Sequence, residues 1–403
     1  MLGGGFISIS YTIRRTILHL GLCCLSVSLL VACAESPVSK SAPEVMLFIG
    51  DGMGLEQRKA ATWLGYGEFG SLQMDSLEVT GSLSTASYNS AITDSAAGAT
   101  AFSTGHKTSN GVVAKDHLGN NLETILEYAQ SMSLATGIVT TTEIYHATPA
   151  AFAAHAANRG AYESIAYQMI NSGVDLMLGG GESYLLPLGT IGVHGVEGKR
   201  TDGLNLIESA GSLGYDVLLT NADLASYSPS VFSSKVLGIF GSGGMTEPYT
   251  PSLKDMTQFA LDYLSLDPNG FILIVEGGQI DWRGHANTAL SNMENTLWLD
   301  DAVLEGKEYQ VYNPDALLIV TADHETGGME AVTDSTGHIA EEGPFYMPDN
   351  TAFYVNWSTT GHTGVDVPVT AIGPHSDSLN GLHENTEVYF AIKSYLDQFI
   401  LDN

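Results

Sequence analysis

The chain has 403 residues, 44% of them hydrophobic and only 15% charged, with 45 acidic against 15 basic residues and a formal charge of -30. That apolar content is ample for a large core, in one big domain or two. Such an acidic excess excludes sequence-independent nucleic-acid binding, which needs a basic face, and is most simply a solvated acidic surface.

The first segment reads as an export signal. Arg14 and Arg15 form a charged start, and Ile17 to Ala32 is an apolar stretch too short and too well bounded for an ordinary transmembrane helix. Leu30-Val31-Ala32-Cys33 resembles a bacterial lipobox, which places cleavage before Cys33 and lipid on its thiol; plain signal-peptide cleavage nearby is the competing reading. Arg14-Arg15-Thr16-Ile17-Leu18 is only faintly like a twin-arginine signal. The expected organisation is a signal peptide over 1–32, a Ser/Pro/Ala-rich tether over 33–43, and a single domain over 44–403. Cys23, Cys24 and Cys33 all fall before that domain, so it has no disulfide and no thiolate ligand. Any metal there must be held by Asp, Glu, His and hydroxyl groups.

Beyond the tether, apolar runs alternate with amphipathic stretches. Val45–Ile49 reads as a buried strand that stops at Gly50-Asp51-Gly52. In Thr93-Asp94-Ser95-Ala96-Ala97, Thr93 or Asp94 suits a helix N-cap, with Ser95 in the first turn among free backbone N–H groups. Taken alone, that segment reads more readily as ordinary capping. Helices are expected at Leu122–Ser131, Ala161–Ser172 and Leu253–Leu264, and a strand at Gly137–Thr142. The Gly- and Ser-rich stretch 179–250, and a second one over 325–360, are expected to be surface insertions. Phe271–Val275 stops at Glu276-Gly277-Gly278-Gln279-Ile280-Asp281, and Asp281 and His285, four apart, share a helical face. Ala316–Val320 stops at Thr321-Ala322-Asp323-His324, and His362 precedes a last strand, Asp366–Ile372, with Pro368 inside it. The remaining histidines after the tether, His106, His117, His155, His194, His338, His375 and His383, read as surface or structural.

This alternation predicts an α/β fold: a three-layer sandwich with a mostly parallel central sheet and helices on both faces. Ligands bind past the carboxyl ends of such strands, so residues more than 200 apart should meet at one sheet edge. Asp51, Glu276, Asp281 and Asp323, with His285 and His324, would repel one another there unless metal ions sat among them.

Six segments, taken in order, resemble the alkaline phosphatase family: Ile49-Gly50-Asp51-Gly52-Met53-Gly54, Thr93-Asp94-Ser95-Ala96-Ala97, Ala147-Thr148-Pro149-Ala150, Glu276 through Asp281, Thr321-Ala322-Asp323-His324 and Gly361-His362-Thr363-Gly364. Each is weak alone; together they span nearly all of the expected domain. The resemblance implies that Ser95 is the nucleophile that becomes phosphoserine. It implies a first zinc on Asp281, His285 and His362 and a second on Asp51, Asp323 and His324. It implies magnesium on Asp51, Thr148 and Glu276, with Arg159 holding the phosphate. His146 and Trp282 depart from the enterobacterial pattern and resemble compact marine and cold-adapted members; near the metals, they would tune metal binding and phosphate release.

The implied activity is broad-specificity hydrolysis of small phosphate monoesters at a site of two Zn2+ and one Mg2+. The implied protein is an exported homodimer, periplasmic or anchored to the outer membrane of a Gram-negative-type bacterium, touching membrane only through lipid on Cys33. The alternatives are a related metal-dependent phosphodiesterase or sulfatase, or a noncatalytic phosphate- or metal-binding lipoprotein. Arg159 and the full metal set favour a dianionic monoester, and no sulfatase modification motif is found.

Overall fold

The computed structural model describes residues 42–401, apart from Phe69 and residues 338–340. The expected signal peptide, Cys33, most of the tether and His338 lie outside the described residues. Among those described, no helix is long and apolar enough to cross a membrane.

The strands are Glu44–Gly50 (β1), Val79–Ser84 (β2), Ala135–Glu143 (β3), Leu176–Gly180 (β4), Tyr215–Leu218 (β5), Lys235–Ile239 (β6), Phe271–Gly277 (β7), Leu317–Thr321 (β8), Glu325–Thr326 (β9), Met329–Val332 (β10), Glu342–Tyr346 (β11), Ala352–Trp357 (β12), His362–Thr363 (β13), Val367–Ile372 (β14) and Gly381–Glu384 (β15). Ten of them form one sheet in the order β15-β2-β14-β8-β1-β7-β3-β4-β6-β5. The sheet is mostly parallel, as expected; β14 is the exception, antiparallel to both β8 and β2.

The three runs that end at carboxylates are neighbours at the middle of this sheet. β1 lies between β7 and β8, with Val45 level with Ile272 on one side and Leu317 on the other. Val45 to Ile49, Phe271 to Val275 and Leu317 to Val320 are all buried. A strand with no exposed side is covered on both faces, which is why these runs are continuously apolar rather than alternating. On one face the long helix Ala289–Tyr312 comes so close that a Cβ on Gly306 would sit 2.8 Å from the Phe48 ring.

Helix ends follow local chemistry. Leu253–Leu264 begins where expected because Ser252 and Asp255 form a capping box. The helix expected from Leu122 starts instead at Ile125, because Thr124 and Glu127 make the same reciprocal cap.

The stretch 179–250 corrects the expectation of surface excursions alone. It supplies β5 and β6, which complete one side of the main sheet, and Val236 and Leu237 are fully buried. Strands of four and five residues among Gly and Ser carry too little periodicity to stand out in sequence. The 325–360 region forms a separate three-stranded sheet, β10-β12-β11, with a small apolar cluster of its own that includes Ala60, Met293, Phe353 and Trp357.

Candidate metal centre and nucleophile

The central strands deliver their last residues to one edge. Asp51 follows β1, Glu276 lies in β7, Asp281 and His285 lie in the helix Gln279–His285 just after it, and Asp323 and His324 follow β8. Ser95 opens the helix Ser95–Thr104, whose N-cap is Asp94, its side chain accepting from the backbone of Ala97. A Cβ on Gly98 of that helix would lie 3.0 Å from Asp323 Cβ, so a glycine lets the helix dock against the end of β8.

Ser95 is buried, its Oγ 3.2 Å from His324 Nε2 and 3.4 Å from Asp51 Oδ1. His324 Nε2 lies 3.5 Å from Asp51 Oδ1 and 3.3 Å from Asp323 Oδ2. Asp281 Oδ1 lies 3.3 Å from His285 Nε2 and 3.5 Å from His362 Nε2, and those two ring nitrogens are 3.1 Å apart. All the expected zinc-ligating residues therefore converge, in two adjoining clusters.

The imidazole protons can be placed from their partners. His285 Nδ1 lies 2.6 Å from Thr360 O, and His362 Nδ1 2.8 Å from Thr93 O. A carbonyl oxygen only accepts, so both Nδ1 atoms carry protons and both Nε2 lone pairs face the cluster. Two such lone pairs at 3.1 Å need a cation beside them. A proton is one such cation: hydrogen bonding to Asp281 pushes His285 up to about 9. A metal ion is the other cation that this donor set fits.

A third cluster lies between β3 and β7. Asp51, His146 and Glu276 each offer an atom within 4.8 Å of the others. Glu276 Oε2 accepts from the hydroxyls of Thr140 and Thr142. Its Oε1 is buried without a close hydrogen-bond partner, as are Asp51 Oδ2 and Asp323 Oδ2, and the buried Thr148 hydroxyl faces Glu276. Orphaned buried oxygens are costly unless something positive meets them, so this cradle too fits a cation. Sequence reasoning placed His146 near the metals but outside the ligand set; here one of its ring nitrogens lies within 4.8 Å of Asp51 and Glu276 oxygens.

The electrostatics agree. Burial, with Asp323, Asp281 and Glu276 close by, pushes the Asp51 carboxyl well above the usual carboxylate range. Burial raises Glu276 to about 7, and burial with Asp281 raises Asp323 to about 6. Asp281 behaves oppositely: against its burial, His285 and His362 hold it well below the ordinary value. Divalent ions would reverse the first three shifts.

Arg159 borders the centre. Its Nη1 donates to Asp94 Oδ2 at 3.0 Å, and its Nη2 lies 3.3 Å from His146 Nε2. Arg159 Nη2 can only donate, so His146 Nε2 accepts and the ring is neutral; burial and the arginine push its pKa down to about 3. The His146 ring meets Trp282 edge-on, centroids 6.0 Å apart, and Trp282 in turn packs so closely on Gly244 that a Cβ there would sit 2.5 Å from its ring.

Sequence reasoning missed Thr326, Glu325 and the second role of Asp94. Asp94 was read as a cap, yet it also accepts from Arg159 and from Gly111 N. Glu325 accepts from Gln57, Gly328, Met329 and Thr363, tying the turn after β8 to β13, which carries His362. Polar residues two or three positions past a ligand gave no signal in sequence. The other described histidines stay outside the clusters; His155, for instance, bridges Ala114 O and Glu127.

Comparison with known proteins follows the same lines. A family profile described as alkaline phosphatase matches residues 42–343 and 349–397. Alkaline phosphatase 3 of Bacillus subtilis (strain 168) is 32% identical over 366 residues, covering 74% of this chain and 75% of its own. The alkaline phosphatase of the Antarctic bacterium TAB5 superposes with a TM-score of 0.76 at 30% identity, over 89% of this chain and 99% of its own. A His-to-Asp mutant of that enzyme was solved with Mg bound in its M3 site. The cold-active alkaline phosphatase of the psychrophile Shewanella sp. superposes with a TM-score of 0.75 at 29% identity, over 88% of this chain and 99% of its own.

Proposed function

The chain belongs to the alkaline phosphatase family and is a phosphate-monoester hydrolase, and from that premise we propose that Ser95 is its nucleophile, working beside two zinc ions and one magnesium ion. The first zinc is assigned to Asp281, His285 and His362, the second to Asp51, Asp323 and His324. Magnesium is assigned to Asp51, Thr148 and Glu276, with His146 beside it. The oxygen donors of the last set suit a hard cation, and the TAB5 mutant with Mg in its M3 site supports the choice. When bound, the ions supply charge that stabilises alkoxide and phosphoryl oxygens and lowers the pKa of water.

The chain's own residues supply position and proton control. Ser95 sits at a helix N-terminus, where free N–H groups favour the phosphoryl anion. His324 is kept neutral by burial and the nearby His362, so its Nε2 is ready as a ligand 3.2 Å from the attacking oxygen. Arg159, fixed by Asp94 and His146, presents a planar guanidinium that grips two phosphate oxygens. Ser95 attacks phosphorus and releases the alcohol, and water then hydrolyses the phosphoserine. Two in-line displacements give net retention. Broad specificity for small phosphate monoesters belongs to the same proposal, and a panel of aryl and alkyl phosphates tests it.

The observation that carries this reading is the buried Ser95 hydroxyl within 3.5 Å of both Asp51 and His324. Ser95→Ala is expected to retain metal and phosphate while turnover of an aryl phosphate falls by about 10³-fold or more. A variant with full turnover, or a wild type indifferent to chelator, would overturn the reading. We further propose export, lipid on Cys33 and a homodimer; the mass of the mature N-terminal peptide and sedimentation test these directly.

A further inference from the structure

We infer that the Thr326 hydroxyl is a positioning group that couples the two imidazole-rich clusters, so that they fill and empty together. This rests on the metal assignment above. Thr326 is fully buried in β9, and its Oγ1 donates to Asp281 Oδ1 at 2.5 Å. The same oxygen lies 3.2 Å from His324 Nδ1. A hydroxyl has one proton, and here the carboxylate takes it. The oxygen must therefore accept from His324 Nδ1–H. That bond leaves the His324 Nε2 lone pair facing Asp51, Asp323 and Ser95, the orientation a ligand needs.

One side chain thus holds a ligand of the first cluster and a ligand of the second in a single relay. If Asp281 turns away, Thr326 loses its acceptor and is free to rotate and donate elsewhere, which removes the constraint on His324. The reverse follows if His324 turns.

Gly52 and Gly284 pack closely against this side chain. A Cβ on Gly52, which has φ +73°, would sit 2.8 Å from Thr326 Oγ1 and 2.9 Å from Asp281 Cα. A Cβ on Gly284 would sit 2.9 Å from Thr326 Cγ2. Two glycines make room for the relay, and its two hydrogen bonds fill that room. The backbone adds a third tie, since β9 pairs with β13 through Thr326 and His362.

The test uses the metal-loaded enzyme and its Thr326→Val, Thr326→Ala and Thr326→Ser variants. Metal content is followed through graded chelation, and reloading with cobalt(II) is followed by its visible spectrum. The wild type and Thr326→Ser are expected to lose and regain the two ions in one step. Thr326→Val and Thr326→Ala are expected to do so in two steps, with retention weakened about 10- to 100-fold. If both hydroxyl-free variants, folded by circular dichroism, matched the wild type, the coupling would be refuted. It would also be refuted if Thr326→Ser behaved like them, because packing would then be the cause. A wild type that binds no metal would sink the metal assignment and this inference together, so the two failures are told apart by the wild type alone.

Discussion

The centre is built from residues whose partners decide what they can do. Arg159 is held by a carboxylate on one side and a neutral imidazole on the other, so its fork is oriented before substrate arrives. Hydrogen bonds to a charged group contribute about 1.5–3 kcal/mol. Arg159→Ala should therefore weaken competitive inhibition by inorganic phosphate by about 10- to 100-fold, measured at fixed pH and salt. His146 supports a second prediction. It stands beside Asp51 and Glu276, and its Nδ1, the protonated nitrogen of the ring, is buried without a partner. His146→Asp would complete an all-oxygen set, which favours magnesium. About a tenfold gain in magnesium affinity is expected, read from a titration of activity or by calorimetry.

At the scale of elements, the site depends on short helices and turns whose ends are fastened by side chains. The capping box at Thr124 is one such device, and Glu127 has two duties there. Its Oε2 accepts from Thr124 N, and its Oε1 accepts from His155 Nε2. His155 Nδ1 also reaches a carbonyl, so both ring nitrogens donate and the ring is an imidazolium. Its pKa is raised above 6.5, chiefly by the hydrogen bond to Glu127. A raised histidine value stabilises the fold fully below 6.5, and that contribution fades as pH rises through the folded-state value. His155→Gln should cost about 0.5–1 kcal/mol near pH 6, kept small because the Glu127 side chain is 42% exposed. The cost should shrink towards pH 10. Thermal melts of both proteins across that range check the sign; a penalty that grows with pH would contradict it.

Across the whole molecule, charge is the dominant feature. With 45 acidic and 15 basic residues, the folded chain repels itself. Asp51, Glu276, Asp281 and Asp323 concentrate that repulsion at one buried edge. Two effects follow. Salt should raise the melting midpoint by several degrees, because screening weakens surface repulsion at separations beyond about 8–10 Å. Chelation should lower it by several degrees, because ions that bind only the folded state stabilise it. Salt should recover little of the chelation loss, since buried groups are poorly screened. Melts with and without chelator, at two salt concentrations, test both effects.

Much of this was legible in the sequence. Val45–Ile49, Phe271–Val275 and Ala316–Val320 announced buried strands because a strand covered on both faces must be apolar throughout, and the carboxylates and imidazoles at their ends announced a metal site because their donor atoms suit one. The ordered motifs placed Ser95 beside those carboxylates, and its hydroxyl does lie next to Asp51 and His324. What sequence could not decide was anything that depends on which neighbour a polar atom finds. β5 and β6 looked like loops because four or five residues hold no period. Thr326 looked like any threonine after a ligand, and His146 was read as tuning the metals without its partner Arg159 being visible. Only the tertiary structure brought Asp281 and His324 to the same hydroxyl and set His146 against Arg159, because hydrogen bonds act over about 3 Å between residues that the chain itself keeps far apart.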